Sequence, residues 1–301
     1  WSIHDSVEQL KRGRAAVTVC STTFVSLGRM QAKALGFPEL PIATVPHPFG
    51  ALSRAAIARV AAGCAADIAR LICAPPPADA ARAGEAEESG YLRYVEVPDD
   101  PIEMNRWFSD QRWCDGLPVI APTEQYVARM LGDAPIDAQR IVARLAPAFG
   151  AATIECIAAN AVMAGAKPMH MPLLITAIQC VIEPQFNLYG MQGTTHPATP
   201  LMIVNGPLAP VLGINSGGGL FGPGPWANGP VGRAMRLILL NIGGAKSVEI
   251  SKATMGHPGK FSYCIAENEK ASPWQSLAAD RGFPPGVSTV TMTGSEGPHN
   301  I

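Results

Sequence analysis

The 301-residue sequence is short of charge. Charged residues make up 16% of it and sum to a formal −1, so it has no basic footprint for a nucleic acid or an anionic membrane surface. It has no apolar run of the roughly 18 residues that a bilayer span needs. The longest contender, Ala234–Ile242, is interrupted by Arg236 and closed by Gly243-Gly244. Paired cysteines are absent too. Seven cysteines are dispersed without a C-x-x-C, which excludes a disulfide framework and argues for buried thiols in a reducing, cytoplasmic setting. No signal-peptide pattern opens the chain, and no initiator methionine: it starts on Trp1-Ser2-Ile3-His4-Asp5, inside a helical pattern. The expectation is therefore an N-terminally truncated domain. No repeat of solenoid period is present.

What is there is apolar and long enough for two cores: 48% of residues are hydrophobic. In the first part the pattern runs helix (Ile3–Leu10), strand (Ala15–Cys20), helix (Phe24–Leu35), strand (Leu40–Val45), helix (Leu52–Cys73). This alternation predicts a Rossmann-like parallel α/β domain over residues 1–74 with helices on both faces. Residues 75–90, rich in Pro, Ala and Glu, read as a linker. Residues 91–301 form a larger α/β or α+β domain. Strands are expected at Tyr91–Val97, just after Trp113–Gly116, within Phe186–Asn205, at Val248–Lys252 and at Val287–Met292. Helices are expected from Pro101, through Leu131, over Thr153–Ala164 and Pro172–Ile182, and from Pro230 as the first helical position to Ile242.

The richest stretch is Gly256–Glu269, which puts His257, Lys260, Tyr263, Cys264, Glu267, Asn268 and Glu269 into one short run after a Gly-Pro-Gly turn. Such a run reads as a site-forming loop entering an element. His196 and His257 each precede a proline in a turn. With Cys264, Glu267 and Lys260 they make a catalytic acid/base set, against the alternative of isolated hydrogen-bonding histidines. A metal is not favoured, because the spacing matches no standard ligand pattern. Asn215, Ser216, Gly217, Gly218 and Gly222 belong to a glycine-rich loop expected to offer backbone N–H groups to an anion, or else to be a packing turn. It is not a P-loop, and prolines interrupt its likeness to an NAD(P) fingerprint. Asn160 is a polar residue on an apolar helix face and needs a partner or a ligand. In the first domain, Thr22 and His47 follow two strand ends, where ligands of open parallel sheets bind; the alternative is that they only cap and turn. Cys114-Asp115-Gly116 reads first as a turn, and Glu296 and His299 could fold back from the tail.

Several runs carry a resemblance. Cys20–Phe24, Ala34–Pro38 and Val45–Gly50 resemble the first domain of the UGSC-motif (seleno)proteins. Asp115–Val119, Asn160–Gly165, Gly193–Pro197, Val204–Pro207, Gly213–Gly217, Leu220–Gly224, Gly256–Lys260, Cys264–Glu269 and Glu296–Asn300 are similar to the remainder of such proteins. The resemblance implies a selenocysteine- or cysteine-Gly-Ser-Cys motif upstream of Trp1, and with it redox or nucleophilic chemistry. The expected function is a thiol- or selenol-dependent enzyme acting on a small anionic molecule, with its site where the two domains meet, and possible assembly into a homo-oligomer. The alternatives are a metal-dependent hydrolase or lyase confined to the second domain, and a non-catalytic oligomeric binding module. The enzymatic reading requires the two histidines and the thiol-plus-acid run to meet in one hollow beside the glycine loop.

Overall fold

The computed structural model describes residues 2–74, 94–132 and 137–298. The chain divides into two compact units, Trp1–Glu88 and Ser89–Ile301. Both mix helices with small sheets, an α/β composition. The expected linker and the start of the Tyr91–Val97 segment lie outside the described residues, as does His299. Residues 94–97 of that segment are irregular, not a strand.

In the first unit, α1 (Ser2–Lys11), β1 (Thr18–Ser21), α2 (Val25–Ala34), β2 (Ile42–Val45) and α3 (Arg54–Cys73) follow the expected order. The two strands pair in parallel, Thr18 opposite Ile42 and Ser21 opposite Val45. Alternation along β2 decides the layers. Ile42 packs with Ile3, Val7, Ala32 and Leu40 under α1 and α2. Ala43 and Val45 face the other way, toward Cys64, Val60 and Ile68 of α3. Ser53 caps α3, its hydroxyl accepting from the Ala56 N–H at 3.3 Å.

The second unit is built on α6 (Ile154–Ala164) and α10 (Asn228–Asn241), which pack on each other over one large core. Nine of the eleven α6 residues are buried, because the helix is nearly all Ala, Ile, Val and Met and has no polar stripe to turn outward. Thr153 caps it and Gly165, at φ +79°, ends it. Before this pair come α4 (Pro101–Asp110), α5 (Glu124–Leu131) and the antiparallel strands β3 (Ile141–Leu145) and β4 (Gly150–Thr153). Between its two helices run α7 (Met171–Val181), α8 (Leu188–Gly193), β5 (Thr199–Asn205) and α9 (Leu208–Val211). After α10 come β6 (Cys264–Ala266), α11 (Leu277–Asp280) and β7 (Thr289–Ser295). β5 is the middle strand of a mixed sheet, parallel to β6 and antiparallel to β7.

Three expectations need correction here. Val248–Lys252 is no strand: Val248 takes φ +69° and the segment makes only an isolated bridge between Ser247 and Ser251. Leu117–Ile120 forms no strand. The Val119 N–H goes to the Asn105 carboxamide oxygen at 2.7 Å and the Ile120 N–H to the Met163 carbonyl at 3.3 Å. Helix α10 begins at Asn228, so Pro230 is its third residue and not its first; the missing N–H is still harmless, since the first turn has no carbonyl to receive it.

Candidate functional site

Parallel pairing of β5 with β6 sorts the chemistry-bearing residues to two ends of the sheet. Ala198, Lys260 and Tyr263 stand at the start of these strands, and Asn205 and Glu267 at their finish. β7 returns Ser295 and Glu296 to the starting end, since Ser295 pairs with Thr199. Seven residues of β5 span about 20 Å. His196, His257, Lys260, Tyr263 and Glu296 therefore gather at one end, and Glu267 and Asn268 at the other. The single shared hollow does not form.

At the finishing end Glu267 holds structure together. One carboxylate oxygen accepts from the Asn205 carboxamide and, at 2.9 Å, from the Leu277 N–H at the start of α11. Glu269 accepts from the same Asn205 at 2.7 Å and from the Gly206 N–H at 2.8 Å. Asn205 is fully buried, and nothing in its sequence context marks it as a residue that two carboxylates share. Asn268 is exposed, and its carbonyl receives the N–H groups of Ala271 and Ser272.

The glycine-rich loop docks its first residue on the outer edge of β6, where the Ala266 N–H donates to the Asn215 carbonyl at 3.1 Å. Three of its backbone donors are committed to the protein itself, the first being the Asn215 N–H, which goes to the Asn228 carboxamide oxygen at 2.7 Å. The Gly217 N–H goes to the Asn215 carboxamide oxygen at 2.9 Å, and that carboxamide donates to the Gly218 carbonyl at 3.0 Å. The Gly222 N–H goes to the Gly219 carbonyl at 2.8 Å. Asn215, Gly217 and Gly222 thus serve a self-closed turn. Ser216 is half-buried and Gly218 exposed. Asn160 is also committed. It donates to the Cys156 carbonyl at 2.8 Å and accepts from Asn241 of α10 at 2.7 Å, which clasps the two central helices.

Cys264 faces the core between β5 and β6, 3.7 Å from the Met202 sulfur, and burial pushes its thiol up to about 12. At neutral pH it is a protonated, inert core residue. Cys20 is likewise pushed up by burial. In the first unit, Ser21 Oγ and His47 Nδ1 lie 3.2 Å apart at the carboxyl ends of β1 and β2, and the His47 ring meets Phe24 edge-on at 5.9 Å. Thr22, beside them, is exposed at the start of a short 3-10 turn.

The starting end of β5 and β6 is where side chains converge. His196 Nε2 and Glu296 Oε1 are 2.8 Å apart on the surface. The Glu296 carbonyl accepts from the Tyr263 hydroxyl at 2.8 Å. Tyr263 lies edge-on to His257, ring centroids 5.6 Å apart, and packs on Phe221 at 5.1 Å. His257 Nδ1 accepts the Gly259 N–H at 3.1 Å, so the neutral ring carries its proton on Nε2. Nε2 is buried and makes no hydrogen bond of acceptable geometry, although the Pro197 carbonyl beside it favours the charged ring. Burial is the larger influence and holds His257 below the ordinary imidazole range, helped by the Lys260 charge and opposed by Pro197 and Glu296.

Beside this cluster is a small cavity that opens to solvent. Arg236 and Lys260 line it together with Gln192, Ser251 and Tyr263, and no lining side chain is acidic. Lys260 Nζ donates to the Ala198 carbonyl at 3.0 Å. Burial and the neighbouring Arg236 charge bring Lys260 down to about 8. Arg236 Nη2 donates to the Ala245 carbonyl at 3.3 Å and Ser247 Oγ at 3.5 Å, and burial weakens its hold on its proton while Asp115 opposes this. The two cations come together because α10 lies flush against the start of β6. A Cβ on Gly232 would sit 2.4 Å from Ser262 Oγ and 2.6 Å from the Tyr263 nitrogen, so only glycine permits that approach. His257 is not part of the lining; Lys260, Arg236 and Tyr263 are the titratable groups that border the space. Arg236 went unrecognised in the sequence, where it reads as an interruption of an apolar helix; the signal was the unpaired charge itself on an otherwise buried face.

Among the described residues no group of three or more His, Cys, Asp and Glu is arranged to hold a metal ion, and no helix is long and apolar enough to cross a membrane. Residues 1–74, within the first unit, match the model of the UGSC family. Neither a curated protein nor a solved structure matches the chain.

Proposed function

We propose that the chain is an enzyme acting on a small anionic molecule, held by Arg236 and Lys260 at the starting end of β5 and β6. The observation that carries this reading is two cationic side chains on one cavity without an acidic residue in its lining. Two neighbouring cations, of which Arg236 depresses Lys260, are both stabilised when an anion enters between them. Lys260, uncharged in part of the population near neutral pH, is the base or nucleophile. His257 and Tyr263 position it through the Gly259 turn. For the first unit we propose a part in thiol or selenol chemistry, supported by its family match and by the Ser21–His47 pair at the strand ends.

Titration calorimetry with acetate, short dicarboxylates and inorganic phosphate tests the anion reading. Saturable binding is expected from at least one. It should weaken by at least about tenfold in Arg236→Gln, the loss of one charge-assisted hydrogen bond. Absence of saturable binding by every anion would overturn the reading.

A further inference from the structure

Arg236 and Lys260 differ chemically, and their pairing over one cavity discriminates among anions. A guanidinium is a planar fork matched to a carboxylate. Among the described residues the hydrogen bonds of Arg236 run through Nη2, which leaves Nε–H and Nη1–H as separate donors, so a ligand carboxylate meets the guanidinium charge and one N–H at a time. Lys260 brings a single amine that donates to one backbone carbonyl. An amine beside another cation in a partly dry site is a nucleophile toward carbonyl carbon. A molecule that uses both groups carries a carboxylate next to an electrophilic carbonyl. It must also be short, because the cavity is small and α8, β5 and α10 close it on three sides, through Gln192, Thr199 and Gly232.

We propose that the cavity takes a small 2-oxo acid, with its carboxylate on Arg236 and its carbonyl carbon attacked by Lys260 Nζ to give an imine. The inference rests on the anion reading above and names the substrate class. In the step, the nitrogen lone pair of the uncharged amine forms the C–N bond, and the carbonyl π electrons move to oxygen. A proton of the amine passes to that oxygen, giving a carbinolamine. This loses water as the C=N bond forms, so amine plus ketone become imine plus water and no oxidant or reductant is needed. Tyr263, whose hydroxyl donates to the Glu296 carbonyl, forms the adjoining wall and takes no part in the bond changes.

The test is reductive trapping. The full chain is incubated with pyruvate, with and without borohydride, which reduces an imine to a stable secondary amine, and the product is mapped by peptide mass spectrometry. A borohydride-dependent adduct is expected on Lys260, saturating with pyruvate and absent in Lys260→Arg. In Arg236→Gln half-saturation should need at least about tenfold more pyruvate. Acetone, which has the carbonyl without the carboxylate, should label Lys260 far less. Adducts on the exposed Lys11 and Lys270 as readily as on Lys260, or equal labelling of Lys260 by acetone, would overturn the proposal. Saturable pyruvate binding without an adduct would remove the imine and leave the anion reading standing; neither binding nor adduct would remove both. The wild-type map decides even where a variant folds poorly.

Discussion

Lys260 is the residue whose environment most changes its chemistry. Folded, it gives up its proton near about 8, against an ordinary 10.5. Below about 8 both folded and unfolded chains hold the proton, and the folded chain bears the full disadvantage of a charge kept partly buried and beside Arg236. Between about 8 and 10.5 the unfolded chain holds more protons, so stability rises with pH across that window. Lys260→Met removes the disadvantage. Its stability relative to wild type, measured by urea unfolding, should be greatest below about pH 8 and decline toward about pH 10. A difference that does not move with pH would mean that Lys260 titrates as an ordinary lysine. Cys264 shows the same lesson inverted. Residue type suggested a reactive thiol, yet four positions from Lys260 the chain has passed from a cavity wall into the core, and the thiol is silenced. Which of two neighbouring reactive residues faces solvent is decided by strand register, which a single sequence does not state.

At the scale of elements, helices were legible and sheets less so. Thr153, Ser53 and Asp100 announce their helices by capping chemistry, and each side chain accepts the N–H groups of the following turn. The parallel pair β1–β2 was legible from short β-branched runs between helical patterns. Val248–Lys252 has the same composition and forms no strand, because a strand exists only where a partner comes alongside, and that is a long-range event. The β3–β4 pair went unseen for the complementary reason: its connection, Ala146-Pro147-Ala148-Phe149, carries no glycine or asparagine turn signal. The α6–α10 contact shows how a polar residue can be structural. Asn160→Ala removes the acceptor for Asn241 within the core and should destabilise the chain by about 1–3 kcal/mol. Replacing Asn241 by Leu in the same chain should recover part of that loss, because both polar groups are then gone. Urea unfolding of the single and double variants measures this. An unchanged midpoint in Asn160→Ala would return Asn160 to the list of ligand-binding candidates.

For the molecule as a whole, the sequence conveyed which segments are chemically unusual but not how they would be distributed. Gly256–Lys260 and Gly193–Pro197 do come together, joined by the Thr254 N–H to the Thr195 carbonyl at 2.9 Å. The acidic part of the same fourteen-residue stretch is carried away along β6 to the far end of the sheet, where it secures Asn205 and α11. What the sequence did not display was the cavity itself, since its second cation comes from α10 and reaches Lys260 only through the contact at Gly232. One carboxylate joins these threads. Asp115 grips Arg233 with two bonds of 2.8 Å, both side chains largely buried, and its charge is also felt by Arg236 one turn along the helix. The anchor of the Cys114–Leu117 turn is therefore a standing rival to any negatively charged guest. Asp115→Asn should weaken the fold by about 3 kcal/mol, as breaking a buried pair does, and yet tighten acetate or pyruvate binding in calorimetry. Robustness and appetite for the guest would then pull against each other through a single side chain, and a sturdier scaffold would be a less hungry one.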